Sequence, residues 1–348
     1  MSLFQSPARI TRRVQVSRIM AATPCQAPGR PVHTSAHTAA SELLNKVKGQ
    51  KFVRKQLLDG NQLQKLSLTL GRRSEFSPEE PPDGTPLPYG HHLVYFTPSQ
   101  FESELGLDGS DTTFNSPAPF TRRMWAGGEM EWNPEVELRV GERVEETTEI
   151  LDAKAKRSRE GGEMVLVNVE KRFVSPRGLA LTDRRSWIFR QPPSAPPPGS
   201  TAEVITIPTT KSNVCDVAAD PGAGYAIRNL VWSPVALFRF SALTFNAHMI
   251  HFNESWTRQV EGHPDVVVHG PLNLINLMDY WRDVHSQGGK VRAKGITYRA
   301  LSPLYAGEEY TIGTERVMES EGGTRYGLVV KRGEAVCMRG EVVGVSSM

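Results

Sequence analysis

A proline-rich segment at residues 191–200 constrains the fold more than any other feature, because it divides the chain into two parts. Residues 192–198 hold five prolines in seven positions. Proline lacks the backbone N–H that a sheet ladder or a helix needs, so this stretch neither pairs as a central strand nor continues a helix. We read it as a linker, with a ligand for a proline-binding domain as the alternative. The 348 residues suffice for two domains with hydrophobic cores, expected at residues 41–190 and 201–348.

The N-terminal segment has the composition of a mitochondrial transit peptide. Residues 1–41 contain five arginines but no lysine and no acidic residue. Such a segment is typical of import signals, so residues 1–40 are predicted to be a transit peptide and the protein to reside in the mitochondrial matrix. The alternative is a disordered basic tail in the cytosol. Without this segment 36 basic and 38 acidic residues remain, so the basic isoelectric point does not indicate a nucleic-acid partner.

Two further classes of protein are disfavoured. No run of 18 apolar residues exists, so no membrane span is expected. The cysteines are only three, Cys25, Cys215 and Cys337, and their scattered positions indicate neither a disulfide framework nor a zinc motif.

The hydrophobic periodicity predicts an α+β fold in which the second part repeats the plan of the first. In the first part, residues 40–75 resemble an amphipathic helical region. The second part has a helix-rich stretch and then a series of strands. The predicted strands lie at residues 136–140, 164–173, 179–189, 289–301, 308–319, 325–333 and 335–345.

Two segments of the second part carry residues suited to chemistry on thioesters. Asn246 and His251 stand five residues apart, directly after an apolar run, and His269-Gly270 precedes Pro271, a residue favoured in the first turn of a helix. A hydratase or dehydratase needs a base that moves a proton and a backbone N–H at a helix start that polarises the thioester carbonyl. The two segments could supply one each. Their alternative roles are an ordinary turn, a core histidine and a plain helix start.

This arrangement resembles the MaoC-type (R)-specific enoyl-thioester hydratases. The family pattern is roughly Ser/Thr-Gly-Asp-x-Asn-Pro-x-His, followed by a His-Gly that opens the central helix. Thr244 matches its first position, His251 its catalytic histidine, and Asn246 stands in place of the catalytic aspartate. Phe245, His248 and Met249 depart from the pattern. Residues 122–128 resemble the two-domain subgroup of mitochondrial 3-hydroxyacyl-thioester dehydratase type 2 and mesaconyl-CoA hydratase-like proteins.

The resemblance implies a double hot-dog fold, in which each of two domains wraps an antiparallel sheet around a long central helix. It places the second helix from Pro271 to about His285 and puts residues 122–128 where the first would begin. His251 is then the catalytic base and Asn246 positions the water, while His269 and Gly270 bind the substrate at its thioester oxygen. Because an amide cannot accept a proton, a weakened enzyme is the alternative. The first domain would be non-catalytic and would form a lid and an acyl-chain pocket.

The resemblance implies an (R)-3-hydroxyacyl-thioester dehydratase of mitochondrial fatty-acid synthesis, acting reversibly on acyl carrier protein or CoA thioesters without metal or cofactor. One alternative is a mesaconyl- or itaconyl-CoA-type hydratase, and another is a non-catalytic thioester-binding protein. Arg239 and Arg258 are possible contacts for a phosphate or an acidic carrier protein. The chain would work as a monomeric pseudo-dimer or as a homo-oligomer.

Overall fold

The computed structural model describes residues 34–72, 75, 79–158, 161–193, 211–217 and 224–347. The predicted residues 1–33 of the transit peptide and 194–200 of the linker lie outside this part. The helices are α1 (Ala36–Val47), α2 (Gly60–Leu70), α3 (Pro234–Leu243), α4 (Glu254–Gln259) and α5 (Gly270–His285). The strands are β1 (Phe52–Leu57), β2 (Arg122–Trp132), β3 (Arg143–Arg157), β4 (Glu163–Ser175), β5 (Gly178–Arg190), β6 (Asn213–Val217), β7 (Ile227–Val231), β8 (Val291–Ala300), β9 (Tyr310–Ser320), β10 (Gly323–Arg332) and β11 (Ala335–Ser346).

All these strands belong to one antiparallel sheet, with the order β1-β3-β4-β5-β2-β8-β11-β10-β9-β7-β6. The order is the same in both halves of the chain: the first strand pairs with the third, then come the fourth and fifth, and the second lies at the far edge. The two second strands, β2 and β8, pair with each other, Gly127 opposite Arg299 and Glu131 opposite Gly295. This pairing joins the two halves into one sheet, which is extended beyond β7 by β6.

Helix α5 forms the core of the second half. Pro271 occupies its first turn, where no N–H is needed, and most of its residues are buried on every side. All residues from Leu272 to Trp281 are buried, so this helix lies in the interior although Asn273, Asn276 and Asp279 are polar. Its side chains Leu277 and Met278 share a hydrophobic cluster with Ile296 of β8 and Val330 of β10. The predicted helix from Pro271 to about His285 is therefore confirmed.

The first half has the same sheet but no counterpart of α5 among its described residues. Between α2 and β2 those residues form only the short 3-10 turns His91–Val94 and Glu102–Glu104. Helix α1, capped by the side chain of Ser35, instead packs on one end of β3, β4 and β5. The rest of that sheet face borders a cavity.

Two predictions for the first half are wrong, and the helical region predicted at residues 40–75 is confirmed in part, by α1 and α2. Residues 122–128 do not begin a helix but form the start of β2, which pairs on both edges with other strands. Residues 40–75 are interrupted by β1, whose alternate side chains are exposed as it pairs with β3. Residues 136–140 make only an isolated bridge, Pro86 with Arg139. Long-range pairing, which local periodicity cannot detect, outweighs helix propensity in the first two cases.

The long strands are confirmed elsewhere, at β4, β5 and β8 to β11. Residues from Thr34 onwards form one compact unit. Division into domains at residues 191–200 stays a prediction. Among the described residues, no helix has the length and apolar character to cross a membrane.

Candidate functional site

A cavity of about 550 Å³ lies where the two halves meet. The second half contributes the segment after α3 and the start of α5, with Asn246, His251 and Gly270. The first half contributes β2, with Arg123 and Trp125. The structure therefore brings together the residues that the sequence pattern singled out and adds others from the opposite half.

The position and tautomer of His251 are determined by its backbone contacts. It ends the 3-10 turn Met249–His251 and is buried. Its Nδ1 lies 2.7 Å from the carbonyl oxygen of Val267. A carbonyl can only accept a hydrogen bond, so Nδ1 carries the proton and the lone pair is on Nε2. No hydrogen bond from the described residues engages Nε2, which leaves it available as a base.

The ionisation of His251 is set mainly by its burial. Desolvation, followed by the charge of His248, lowers the pKa of His251 to about 3, and the nearby charge of Arg123 acts in the same direction. The imidazole is therefore neutral at physiological pH and can accept a proton. Once protonated it would be a strong acid, which suits a group that must return the proton quickly.

His269 is the residue directly before α5, and its ring lies against His251. The two rings stack with centroids 3.7 Å apart. The Nε2 atom of His269 is 2.9 Å from the hydroxyl oxygen of Ser241, whereas its buried Nδ1 has no partner among the described residues. Burial, with the charges of His251 and His248, holds the pKa of His269 well below its usual range. A neutral ring in this place orients His251 without adding a second positive charge.

Gly270 is the first residue of α5. Its N–H is one of the first-turn N–H groups that have no partner within the helix. No hydrogen bond from the described residues occupies this N–H, so it can polarise a thioester oxygen. A side chain at position 270 would have no room, because an added Cβ would stand 2.9 Å from Cβ and Cγ of Trp125 in the first half. The close neighbour of this glycine is therefore the indole of Trp125.

Asn246 follows a sharp reversal at Phe245, which has a φ of 46°. Its Oδ1 accepts a hydrogen bond of 3.1 Å from the backbone N–H of His248, so the side-chain oxygen is used to shape the turn. The Nδ2 group has no partner among the described residues, and Asn246 lines the cavity. The amide can therefore donate to a water or a substrate hydroxyl, but it cannot accept a proton.

Asp108, from a loop of the first half, is a functional neighbour that the sequence analysis missed. Its carboxylate is 3.3 Å from Nε2 of His248, and its carbonyl oxygen accepts from the N–H of Met249 at 2.8 Å. The adjacent Gly109 is required, because an added Cβ would stand 2.1 Å from the carbonyl oxygen of Ala247. The only local signal was an Asp-Gly turn dipeptide, and nothing in it indicates a partner 140 residues away.

Arg239 and Arg258 lie outside the cavity lining. Arg239 is exposed on α3, and Arg258 is paired with Glu254 at 2.7 Å and with Asp265 at 3.4 Å. Their contact with a phosphate or a carrier protein stays a prediction. In the described part of the chain, no group of three or more histidine, cysteine or acidic side chains is arranged to hold a metal ion.

Comparison with known proteins identifies relatives that share this plan. A family model described as hydroxyacyl-thioester dehydratase type 2 matches residues 90–306. Mesaconyl-C(4)-CoA hydratase of Chloroflexus aurantiacus is 32% identical over 233 residues, which are 65% of this chain and 75% of that protein. The mitochondrial hydroxyacyl-thioester dehydratase type 2 of Schizosaccharomyces pombe is 26% identical over 250 residues, 66% of this chain and 77% of that protein.

Solved structures show the same fold. A MaoC-like dehydratase superposes with a TM-score of 0.60 at 13% identity and covers 88% of this chain and 100% of its own. A MaoC-like dehydratase from Phytophthora capsici gives a TM-score of 0.58 at 15% identity, with 88% and 99% covered. With the strand order repeated in both halves, these matches confirm the predicted α+β double hot-dog fold, although among the described residues only the second half has the long central helix.

Proposed function

Because the chain belongs to the hydroxyacyl-thioester dehydratase type 2 family and is thus a hydro-lyase, we propose that it dehydrates (R)-3-hydroxyacyl thioesters reversibly to trans-2-enoyl thioesters. The observation that carries the proposal is the free Nε2 of His251 in the same cavity as the N-terminus of α5. One supplies a base, and the other supplies a donor for the thioester oxygen. A non-catalytic thioester-binding protein would not need a histidine oriented in this way.

In the dehydration direction, the N–H of Gly270 would donate a hydrogen bond to the thioester oxygen and stabilise the negative charge that develops there as the proton leaves C2. Nε2 of His251 takes this proton and becomes an imidazolium, and the electron pair forms the C2=C3 bond as the C3–O bond breaks. The imidazolium returns its proton to the departing oxygen, which leaves as water. Nδ2 of Asn246 donates to that oxygen and holds it in place. One histidine therefore moves the proton both ways, which compensates for the absence of an aspartate at position 246.

The depressed pKa of His251 is consistent with this division of labour. Because His251 is a weak base, removal of the C2 proton is the more difficult step. Stabilisation of the thioester oxygen by the start of α5 therefore matters most in that step. The same acidity makes protonation of the leaving oxygen easy. In the hydration direction the identical groups act in reverse order.

The test is an assay of the purified protein with crotonyl-CoA and with a longer trans-2-enoyl thioester, presented on both CoA and acyl carrier protein. Hydration removes the enoyl absorbance, so turnover is followed directly. We expect turnover of at least one of these substrates, and a kcat/KM ratio that ranks the carrier and the chain length. Absence of turnover with all of them would contradict the proposal.

We further propose that the protein acts in the mitochondrial matrix, in fatty-acid synthesis on acyl carrier protein. The Arg-rich, acid-free N-terminus and the mitochondrial names of two yeast relatives support this. Cleavage ahead of Ser35 would leave α1 and its cap intact, whereas cleavage after residue 40 would remove the buried Ala36, Ala39 and Ala40. N-terminal sequencing of protein from isolated mitochondria should therefore give a start at or before Ser35. A start at Met1 would contradict import with cleavage.

A second candidate function is hydration of a branched dicarboxylyl-CoA such as mesaconyl- or itaconyl-CoA. The 32% identity to a mesaconyl-C(4)-CoA hydratase supports it. So does the lining of the cavity, in which the guanidinium groups of Arg54, Arg122, Arg123 and Arg185 are found. Including mesaconyl-C4-CoA in the same assay separates the two candidates by their kcat/KM values.

A further inference from the structure

Arg123 is a cation of the cavity that no carboxylate of the described residues neutralises. Its Nη1 donates to a backbone carbonyl oxygen, that of Asp111, at 3.0 Å, and its guanidinium carbon lies 5.8 Å from the centre of the Trp187 ring. No ion pair within 4 Å involves it among the residues that the structure describes. Burial lowers the pKa of Arg123, although the more distant carboxylates of Asp111 and Asp108 act against this.

The arginines next to it in sequence and in the sheet differ in this respect. Arg122 is bonded to the carboxylate of Glu261. Arg185 pairs with Asp183 at 2.6 Å, and Arg184 pairs with Glu129 at 2.6 Å. Since a desolvated guanidinium is costly unless an anion is near, the exception at Arg123 indicates that the anion comes from the ligand.

The nearby carboxylates are already engaged. Asp111 accepts from the backbone N–H of Thr113 at 2.9 Å and from its hydroxyl at 2.6 Å. Asp108 faces His248 and accepts from the N–H of Ser110 at 2.9 Å. Neither is therefore turned to Arg123, whose remaining donors are free for a group in the cavity.

The location of Arg123 decides which part of a thioester it meets. It stands two residues before Trp125 on β2, and Trp125 lies against Gly270 at the start of α5. Arg123 and His251 line the same cavity. The pantetheine arm separates the thioester from the phosphates of CoA or of a carrier protein, so an anion that meets Arg123 near the start of α5 belongs to the acyl group.

The remaining wall of the cavity is mixed. Phe114 and Trp187 contribute aromatic surface, and charged side chains lie beside them. Arg54 donates to the carbonyl oxygens of Phe96 and Thr97 at 3.0 and 2.8 Å, and Lys171 pairs with Glu146 at 2.7 Å. An acyl group that carries a carboxylate would therefore meet both apolar surface and the cation of Arg123.

We propose that Arg123 binds a carboxylate carried by the acyl group, which favours the second candidate function, hydration of a dicarboxylyl thioester, over the unsubstituted acyl thioesters of fatty-acid synthesis. The planar guanidinium presents two parallel N–H donors that match a carboxylate, which fixes both the position and the orientation of the acyl group relative to His251. This inference rests on the proposed hydratase activity and adds to it the class of substrate and the residue that selects it.

The test compares mesaconyl-C4-CoA with 3-methylcrotonyl-CoA, in which a methyl group replaces the carboxylate on C3, and with crotonyl-CoA. We expect the wild-type protein to prefer mesaconyl-C4-CoA. Arg123→Met should lower kcat/KM for this substrate about 100-fold or more, because it removes the partner of a buried anion. The same change should alter kcat/KM for crotonyl-CoA far less. Arg172→Met, on the exposed side of β4, is the matched control and should change neither value.

A second variant keeps the positive charge but removes the two parallel N–H donors of the guanidinium. Arg123→Lys should fold even if the Met variant does not, and should lose an intermediate fraction of the activity on mesaconyl-C4-CoA. Equal losses on mesaconyl-C4-CoA and crotonyl-CoA, or no loss on either, would overturn the assignment of Arg123. Wild-type turnover of crotonyl-CoA without preference for the dicarboxylyl substrate would overturn the substrate class but leave the hydratase function standing. No turnover with any thioester would overturn the hydratase function itself.

Discussion

The two halves of this molecule have the same strand order but fill the concave face of the sheet differently. In the second half, α5 occupies that face, and its apolar side chains form the core. In the first half, α1 covers only one end, and the described residues leave a cavity with charged and aromatic walls over the rest. In the proposed mechanism, the half with the central helix supplies the base and the helix N-terminus. The half without it would supply room for the substrate.

The first half has no central helix among its described residues, and its sheet therefore borders the cavity directly. The two halves are nevertheless interdependent. Asp108 and Trp125 of the first half contact the catalytic segment and the start of α5 in the second. Four changes test this interdependence.

The largest effect should come from separating the halves. Residues 201–348 expressed alone would lack Asp108, Arg123 and Trp125 and would expose the edge of β8 that normally pairs with β2. An unpaired strand edge promotes aggregation. We expect complete loss of hydratase activity, measured with crotonyl-CoA, and partial recovery on co-expression with residues 34–198, because the linker only raises the effective concentration. Full activity of residues 201–348 as a monomer would show that the first half is not part of the site.

Removal of the base should have the next largest effect. His251→Ala is expected to lower kcat about 10²- to 10⁴-fold, the usual contribution of a general base. His285→Gln is the control, because His285 is buried in the same half but bonds to Thr314 outside the cavity. In the wild type, kcat/KM should stay constant from neutral pH down to about pH 5 and fall only at lower pH, since the pKa of His251 is about 3. A folded His251→Ala variant with near-normal turnover would contradict the assignment.

A methyl group at the contact between the halves should have a moderate effect. Gly270→Ala places a Cβ 2.9 Å from the Trp125 side chain, and such overpacking typically costs about 1–3 kcal/mol. We expect a lower free energy of unfolding and reduced kcat, because α5 would shift away from the substrate. Trp125→Gly in the same chain removes both Cβ and the indole and should relieve the clash, so a double-mutant cycle should show strong coupling. Additive effects would mean that the two residues do not press on each other.

The smallest effect should come from the pair of Asp108 and His248. Burial opposes ionisation of Asp108, but the hydrogen bond and charge of His248 outweigh it and hold the pKa of Asp108 well below its usual range. A depressed carboxylate pKa stabilises the fold above the unfolded value, about 3.9, and this contribution is lost as pH falls through the lower folded value.

Asp108→Asn should therefore lower the free energy of unfolding by about 1–2 kcal/mol at pH 7 and by progressively less below about pH 4. Denaturant titrations at several pH values measure this dependence. Asp152→Asn, at an ion pair on the outer part of β3, is the control and should have little effect at any pH. If Asp108→Asn lowered the free energy of unfolding by the same amount at every pH, this would contradict ionisation of Asp108 as the source of the effect.

Much of the second half could be predicted because its signals are local. Asn246, His251 and the start of α5 lie within 26 residues, and their order along the chain already indicates a turn, a base and a helix start. The strands β8 to β11 could be located because each alternates apolar and polar residues over ten or more positions. Residues 122–128 were misread, because what makes them a strand is pairing with β5 and β8, remote in sequence.

The sequence by itself determined the long helix of the second half and singled out Asn246, His251 and Gly270, which line one cavity, because these signals depend on residues close together in the chain. Only the tertiary structure decided that Asp108 meets His248, that Trp125 takes the space beside Gly270, and that Arg123 enters the cavity without a carboxylate partner. These contacts join residues more than 100 positions apart. They depend on how β2 pairs with β8 and on which face of the sheet is left uncovered, and no local pattern of side chains encodes that geometry.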